Sequence, residues 1–174
     1  MPDPVTLITG GVKSGKSSHA LRMAEPLGRR RAFIATATAL DGEMEKKIAA
    51  HKLERGDRWR TYEVPRAISP ALDGAAADSD VVVLDCLTLW ISNLLTIEGL
   101  PEDRIVQEIG DLGRALEKAA CPVIVVTNEV GLGVMPAERL SRQYQNLLGL
   151  ANKRVAELAG SVYLMISGIA VKIK

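Results

Sequence analysis

Gly10-Gly11-Val12-Lys13-Ser14-Gly15-Lys16-Ser17 fits the pattern G-x-x-x-x-G-K-[ST], and it stands between the apolar run Val5-Thr6-Leu7-Ile8-Thr9 and helix-forming sequence. In that setting the glycines let backbone N–H groups close around phosphate oxygens. Lys16 reaches the β- and γ-phosphates, and the Ser17 hydroxyl is placed to ligate Mg²⁺. The spacing therefore implies binding of a nucleoside triphosphate. A second chemical position is Asp85, directly after Val81-Val82-Val83-Leu84. A carboxylate at the end of a core strand can face the metal held by the loop hydroxyl, or it can cap a helix starting at Leu87.

His51 forms an i, i+4, i+7 stripe with Met44 and Ile48, which suits a ring at the edge of a helix's apolar face. Lys47, Lys52 and Arg55 also gather positive charge around it, as expected near a triphosphate. Its ordinary pKa, near 6.5, leaves much of the imidazole uncharged and nucleophilic at neutral pH. His19, two residues after Ser17, reads as a packing or supporting residue. Cys86 and Cys121 are too few and too isolated for a disulfide framework or a cysteine-based zinc site, and they read as small core hydrophobes.

These positions need strands alternating with helices, the pattern of a mostly parallel α/β sheet covered on both faces. The first helix starts at the phosphate loop, carries Ala20, Ala24 and Leu27 on one stripe, and ends at Gly28. Strands are expected at Ala32–Thr36, Trp59–Val64, Val81–Leu84 and Val123–Val126, with a charged helix from Asp41 to about Arg55 and a short Ala-rich helix before Asp78. Pro101 opens a helix with Ile105, Ile109, Leu112 and Leu116 at i, i+4, i+7, i+11. Pro136 opens another with Leu140, Tyr144, Leu147, Ala151, Val155 and Leu158 on one face. Val162–Ile166 and Ile169–Ile173 read as a closing strand pair joined near Gly168.

The 174 residues suit one nucleotide-binding catalytic domain spanning 1–174, with no need of a second. Twenty-two Lys and Arg against 21 acids give a net charge of +1, so no global attraction for nucleic acid or anionic lipid arises. The apolar stretches are too short for a membrane span and Met1-Pro2-Asp3-Pro4 does not read as a targeting segment, so a cytoplasmic location is expected.

The chain resembles the bifunctional adenosylcobinamide kinase / adenosylcobinamide-phosphate guanylyltransferases of cobalamin assembly, along nearly its whole length. The resemblance runs through Thr9-Gly10-Gly11 to Lys16-Ser17, Ile34-Ala35-Thr36-Ala37, Leu40-Asp41-Gly42-Glu43-Met44 leading to His51-Lys52, and Trp59-Arg60-Thr61 with Glu63. It continues in Asp85-Cys86-Leu87-Thr88, Asn93-Leu94-Leu95, Thr127-Asn128-Glu129-Val130-Gly131-Leu132-Gly133 with Pro136, and Ser167-Gly168-Ile169. His51-Lys52 after an acidic helix start, together with Asn-Glu-Val-Gly-x-Gly, is far more selective than the phosphate loop. The family often carries Arg where this chain has Lys13.

The resemblance implies a P-loop fold and two reactions. The γ-phosphate of ATP or GTP passes to adenosylcobinamide, and GMP from GTP then passes to adenosylcobinamide phosphate through a guanylylated histidine, giving adenosylcobinamide-GDP. It further implies that His51 is that histidine and that Gly10 to Ser17 is the phosphate loop. Ala35, Thr36, Ala37, Lys52, Leu53, Glu54, Arg55, Glu63 and Asp85 would contact the guanine nucleotide. A homotrimer is implied as well. Asp85 or Glu129 could take the acceptor hydroxyl's proton, and a loose transition state needs no base. Two other readings are a monofunctional small-metabolite kinase with a structural His51, and a nucleotide switch, for which the guanine-specifying Asn-Lys-x-Asp is missing.

Overall fold

Val5–Gly10 (β1), Arg31–Ala35 (β2), Arg60–Glu63 (β3), Val81–Asp85 (β4), Val123–Val126 (β5), Ser161–Ile166 (β6) and Ile169–Lys172 (β7) form one seven-stranded sheet in the order β3-β2-β4-β5-β1-β6-β7. The computed structural model describes residues 3–38, 42, 49, 52–53 and 56–174. The expected helix from Asp41 to Arg55, with Met44, Ile48 and His51, lies almost wholly outside them, as do Glu54 and Arg55.

Six strands are parallel, and β7 pairs antiparallel with β6. The apolar runs explain this arrangement, because a parallel strand covered on both faces has no side that can be polar. On one face Val5, Leu7, Ala32, Ile34, Val82, Leu84, Val123 and Val125 are buried under helices Ile68–Ala77 (α2), Leu87–Ser92 (α3), Glu102–Lys118 (α4) and Arg139–Leu158 (α5). On the other, Ile8, Phe33, Val81, Val83, Ile124 and Val126 meet Ala20, Leu21 and Ala24 of Lys16–Ala24 (α1).

The α4 stripe is buried as its spacing requires, at Ile105, Ile109, Leu112 and Leu116. In α5 the stripe is shorter than expected. Leu147, Ala151 and Val155 are buried, but Leu140 is 52% exposed, because the helix begins only at Arg139 and Leu140 falls in its first turn, ahead of the residues that meet the sheet. Glu138 is the N-cap, and the Arg142 guanidinium instead secures the entry by donating to the Pro136 and Ala137 carbonyls at 3.1 and 2.5 Å. In α1 the regular turns stop at Ala24, and Leu27 lies in a 3₁₀ turn, Glu25–Leu27, carrying Pro26, which has no N–H for an α-helical bond. Cys121 is buried and both cysteines are free thiols.

Candidate active site at the carboxyl ends of the strands

In a parallel sheet the ligand crevice opens at the carboxyl ends of the strands. The register carries Glu63, Ala35, Asp85, Val126 and Ile8 across that end, through the pairs Glu63–Ala35, Ala35–Asp85, Asp85–Val126 and Val126–Ile8. The phosphate loop leaves β1 at one side of this row. Gly10 permits the loop's first bend: its φ is +145°, and a Cβ there would lie 2.4 Å from the Met165 carbonyl oxygen.

Lys16 is 8% exposed, and its Nζ donates to the Gly11 carbonyl at 2.5 Å and to Ser14 Oγ at 3.3 Å, bridging the loop. Burial pushes its pKa down from the ordinary value, opposed by Cys86 and by the Asp85 carboxylate. Asp85 and the loop therefore face the same space. Cys86, not Asp85, is the N-cap of α3, while Asp85 ends β4. The Ser17 hydroxyl and the Asp85 carboxylate are hard oxygen donors of the kind Mg²⁺ takes alongside water and phosphate oxygens. Among the described residues no group of three His, Cys, Asp or Glu could hold a metal by itself. Burial pushes the Cys86 thiol up to about 12, which favours its protonated form at neutral pH.

Thr36 has a role that the sequence concealed. It is fully buried, its N–H donates to the Asp85 carbonyl at 3.0 Å, and its carbonyl accepts from Asn93 Nδ2 at 2.8 Å. Its hydroxyl donates to the Cys86 carbonyl at 2.7 Å and accepts from the Cys86 N–H at 2.8 Å. Its hydrogen-bonding groups are thus engaged in holding the β2 and β4 ends together, with half-buried Ala35 and Ala37 on either side. Beyond β5 a similar brace appears: Asn128 N–H donates to Thr88 Oγ1 at 2.9 Å, Asn152 Nδ2 to the Asn128 carbonyl at 3.0 Å, and Thr127 Oγ1 to Asn152 Oδ1 at 2.7 Å. Glu129 N–H reaches the Gly10 carbonyl at 3.2 Å, coupling that brace to the phosphate loop.

The structure separates another part of the expected set. Lys52 forms an ion pair with Glu63 at the end of β3, and both, with exposed Leu53, Gly56, Asp57 and Thr61, line an open cavity of about 500 Å³. In the sheet order β3 stands four places from β1, about 19 Å at ordinary strand spacing. Glu63 and Lys16 therefore cannot grip the same phosphate. His19 lies on α1 with its ring 5.9 Å from that of Tyr163, and burial, with Arg22 nearby, lowers its pKa. It packs, as its position suggested. Val12, Lys13 and Gly15 are exposed along the loop.

The model of a family described as cobinamide kinase / cobinamide phosphate guanyltransferase matches residues 6–173. The chain is 37% identical over 179 residues to the bifunctional adenosylcobalamin biosynthesis protein CobU of Salmonella typhimurium, covering 97% of this chain and 98% of that protein. It is 39% identical over 168 residues to the bifunctional adenosylcobalamin biosynthesis protein CobP of Pseudomonas aeruginosa, with 97% and 96% covered. The corresponding figures for Escherichia coli CobU are 36% over 179 residues, with 97% and 98% covered. Among solved structures it is similar to the RadB recombinase, at a TM-score of 0.49 and 15% identity, covering 92% of this chain and 73% of that one.

Proposed function

Because the chain belongs to the cobinamide kinase / cobinamide phosphate guanyltransferase family, we propose that it phosphorylates adenosylcobinamide with ATP or GTP and then transfers GMP from GTP to adenosylcobinamide phosphate, yielding adenosylcobinamide-GDP. The observation that carries this reading is the phosphate loop facing Asp85 within a chain matched to that family almost end to end.

In the kinase step the loop's N–H groups and Lys16 hold the nucleotide, and the acceptor hydroxyl attacks the γ-phosphorus, so that the bond to the β-phosphate oxygen breaks. Ser17 and Asp85 would hold Mg²⁺, which when bound neutralises charge on the phosphate oxygens. In the second reaction a nitrogen of His51 attacks the α-phosphorus of GTP, a P–N bond forms and pyrophosphate leaves. A phosphate oxygen of adenosylcobinamide phosphate then attacks that phosphorus, the P–N bond breaks, and the imidazole is restored. Ala35, Ala37, Lys52, Leu53, Glu54, Arg55 and Glu63 form the guanine-nucleotide side, with Thr36 supporting it from within. The loop then holds the phosphates in both reactions, while Glu63, across the crevice at β3, stands toward the nucleoside end. The protein acts in the cytoplasm as one catalytic domain, assembled as a homotrimer. The bare apolar face of β7 supports that assembly.

Incubation with α-labelled GTP and Mg²⁺ tests the reading. An acid-labile GMP label should map to His51. His51→Ala should lose the label and at least about a hundredfold of guanylyltransfer, yet keep measurable phosphorylation of adenosylcobinamide. Lys16→Ala should lose both activities. A label mapping to His19, or equal loss of both activities in folded His51→Ala, would overturn the divided mechanism.

A further inference from the structure

The turn between β6 and β7 is docked on the phosphate loop. Gly168 N–H donates to the Ser14 carbonyl at 3.1 Å. Ser167 and Gly168 have φ of +50° and +86°, the consecutive left-handed residues of a two-residue hairpin turn between the paired residues Ile166 and Ile169. The loop also rests on the hairpin at Gly15, where a Cβ would lie 3.6 Å from Gly168 Cα, and at Gly10, which abuts the Met165 carbonyl.

The contact has a consequence for the loop's donors. The Ser14–Gly15 peptide is trans, so its carbonyl and its N–H point in opposite directions. With the Ser14 oxygen held on the hairpin, the Gly15 N–H is turned away from the hairpin. A flip of this one peptide would present a carbonyl oxygen to a phosphate in place of a donor. We propose that Gly168 is a positioning residue: through its N–H the β6–β7 turn fixes the Ser14–Gly15 peptide and so aims the Gly15 N–H at the bound triphosphate. The inference rests on reading the loop as the nucleotide site, but not on the identity of the acceptor.

No atom lies within 4 Å of a Cβ built on Gly168, so its φ alone selects glycine there. Asn tolerates the left-handed region and β-branched Val does not. Titration with a fluorescent GTP analogue, alongside circular dichroism, should therefore separate the variants. Gly168→Val should weaken GTP binding about tenfold or more and raise the nucleotide KM in both reactions, leaving the corrinoid KM unchanged. Gly168→Asn should stay within about threefold of wild type. A folded Gly168→Val that binds GTP normally, or a Gly168→Asn that loses as much as Val, overturns the proposal. Should Gly168→Val not fold, Gly168→Ala serves instead, with roughly threefold weaker binding expected and unchanged binding the contrary result. GTP binding that follows this order in a protein unable to turn over adenosylcobinamide would refute the proposed function and leave the positioning role standing.

Discussion

At the scale of single residues, the legible positions were those whose chemistry is written locally. Gly10 to Ser17 carries its own spacing, and Asp85 is marked by the four apolar residues before it. Thr36 and Asp80 gave no such signal, because their partners lie about 50 residues away. Asp80 accepts from the N–H groups of Arg29 and Arg30, each at 2.9 Å, and from the Arg30 guanidinium at 2.7 and 2.9 Å. Its carboxylate also fills the space beside Gly28, where a Cβ would lie 2.2 Å from that of Asp80. The Arg30 N–H, and then its guanidinium, hold the Asp80 pKa below the usual 3.8. The fold thus favours the ionised form. That stabilisation is complete above pH 3.8 and disappears as pH falls through the lowered value. Asp80→Asn keeps the shape and removes the charge, so its urea midpoint should lie below that of wild type at pH 7. The two midpoints should converge as pH drops below 3.8, and a gap independent of pH would show that charge is not what Asp80 contributes.

Among the elements, periodicity was informative wherever an element buries one continuous face. Ile105 to Leu116 illustrate this in α4, whereas Leu140 shares the α5 stripe but falls in a turn ahead of the buried residues. What periodicity could not show is how strand ends are joined, since those bonds cross between segments. The same limit hid the contact of Gly168 with Ser14 and the distance between β3 and β1. The join of β2 to β4 is testable at Thr36. Thr36→Val keeps the volume but leaves the Cys86 N–H and carbonyl without their hydroxyl partner in a fully buried place. Each stranded group costs about 1–3 kcal/mol, so a loss of roughly 2–4 kcal/mol in unfolding free energy is expected. Nucleotide-dependent activity should decline as well, because Asp85 is the residue displaced when this join loosens. Denaturant titration reads the first effect, and a loss under about 0.5 kcal/mol would mean that the bracket is not structural.

For the whole molecule, burial is uneven across the sheet. Among the described residues four helices cover one face and α1 the other, and none of them extends over the β7 edge. Antiparallel pairing places Ile166 opposite Ile169 and Leu164 opposite Val171, so these side chains share a face, and Ile173 continues it by alternation. Ile166, Ile169, Val171 and Ile173 are each 44–68% exposed. On the opposite side Ala170 packs against the core and Lys172 lies over the Tyr163 ring at 6.0 Å, so the hairpin is apolar outward on one face only. Such a patch on an unpaired edge favours association, and the net charge of +1 offers little repulsion to prevent it. The proposed homotrimer would then give the mass of three chains in sedimentation equilibrium at micromolar concentration. Ile169→Lys combined with Ile173→Lys should lower it by burying charge at the seam. A wild-type chain that sediments as a monomer would remove the trimer altogether, and a trimer that survives both lysines would move the seam away from this hairpin.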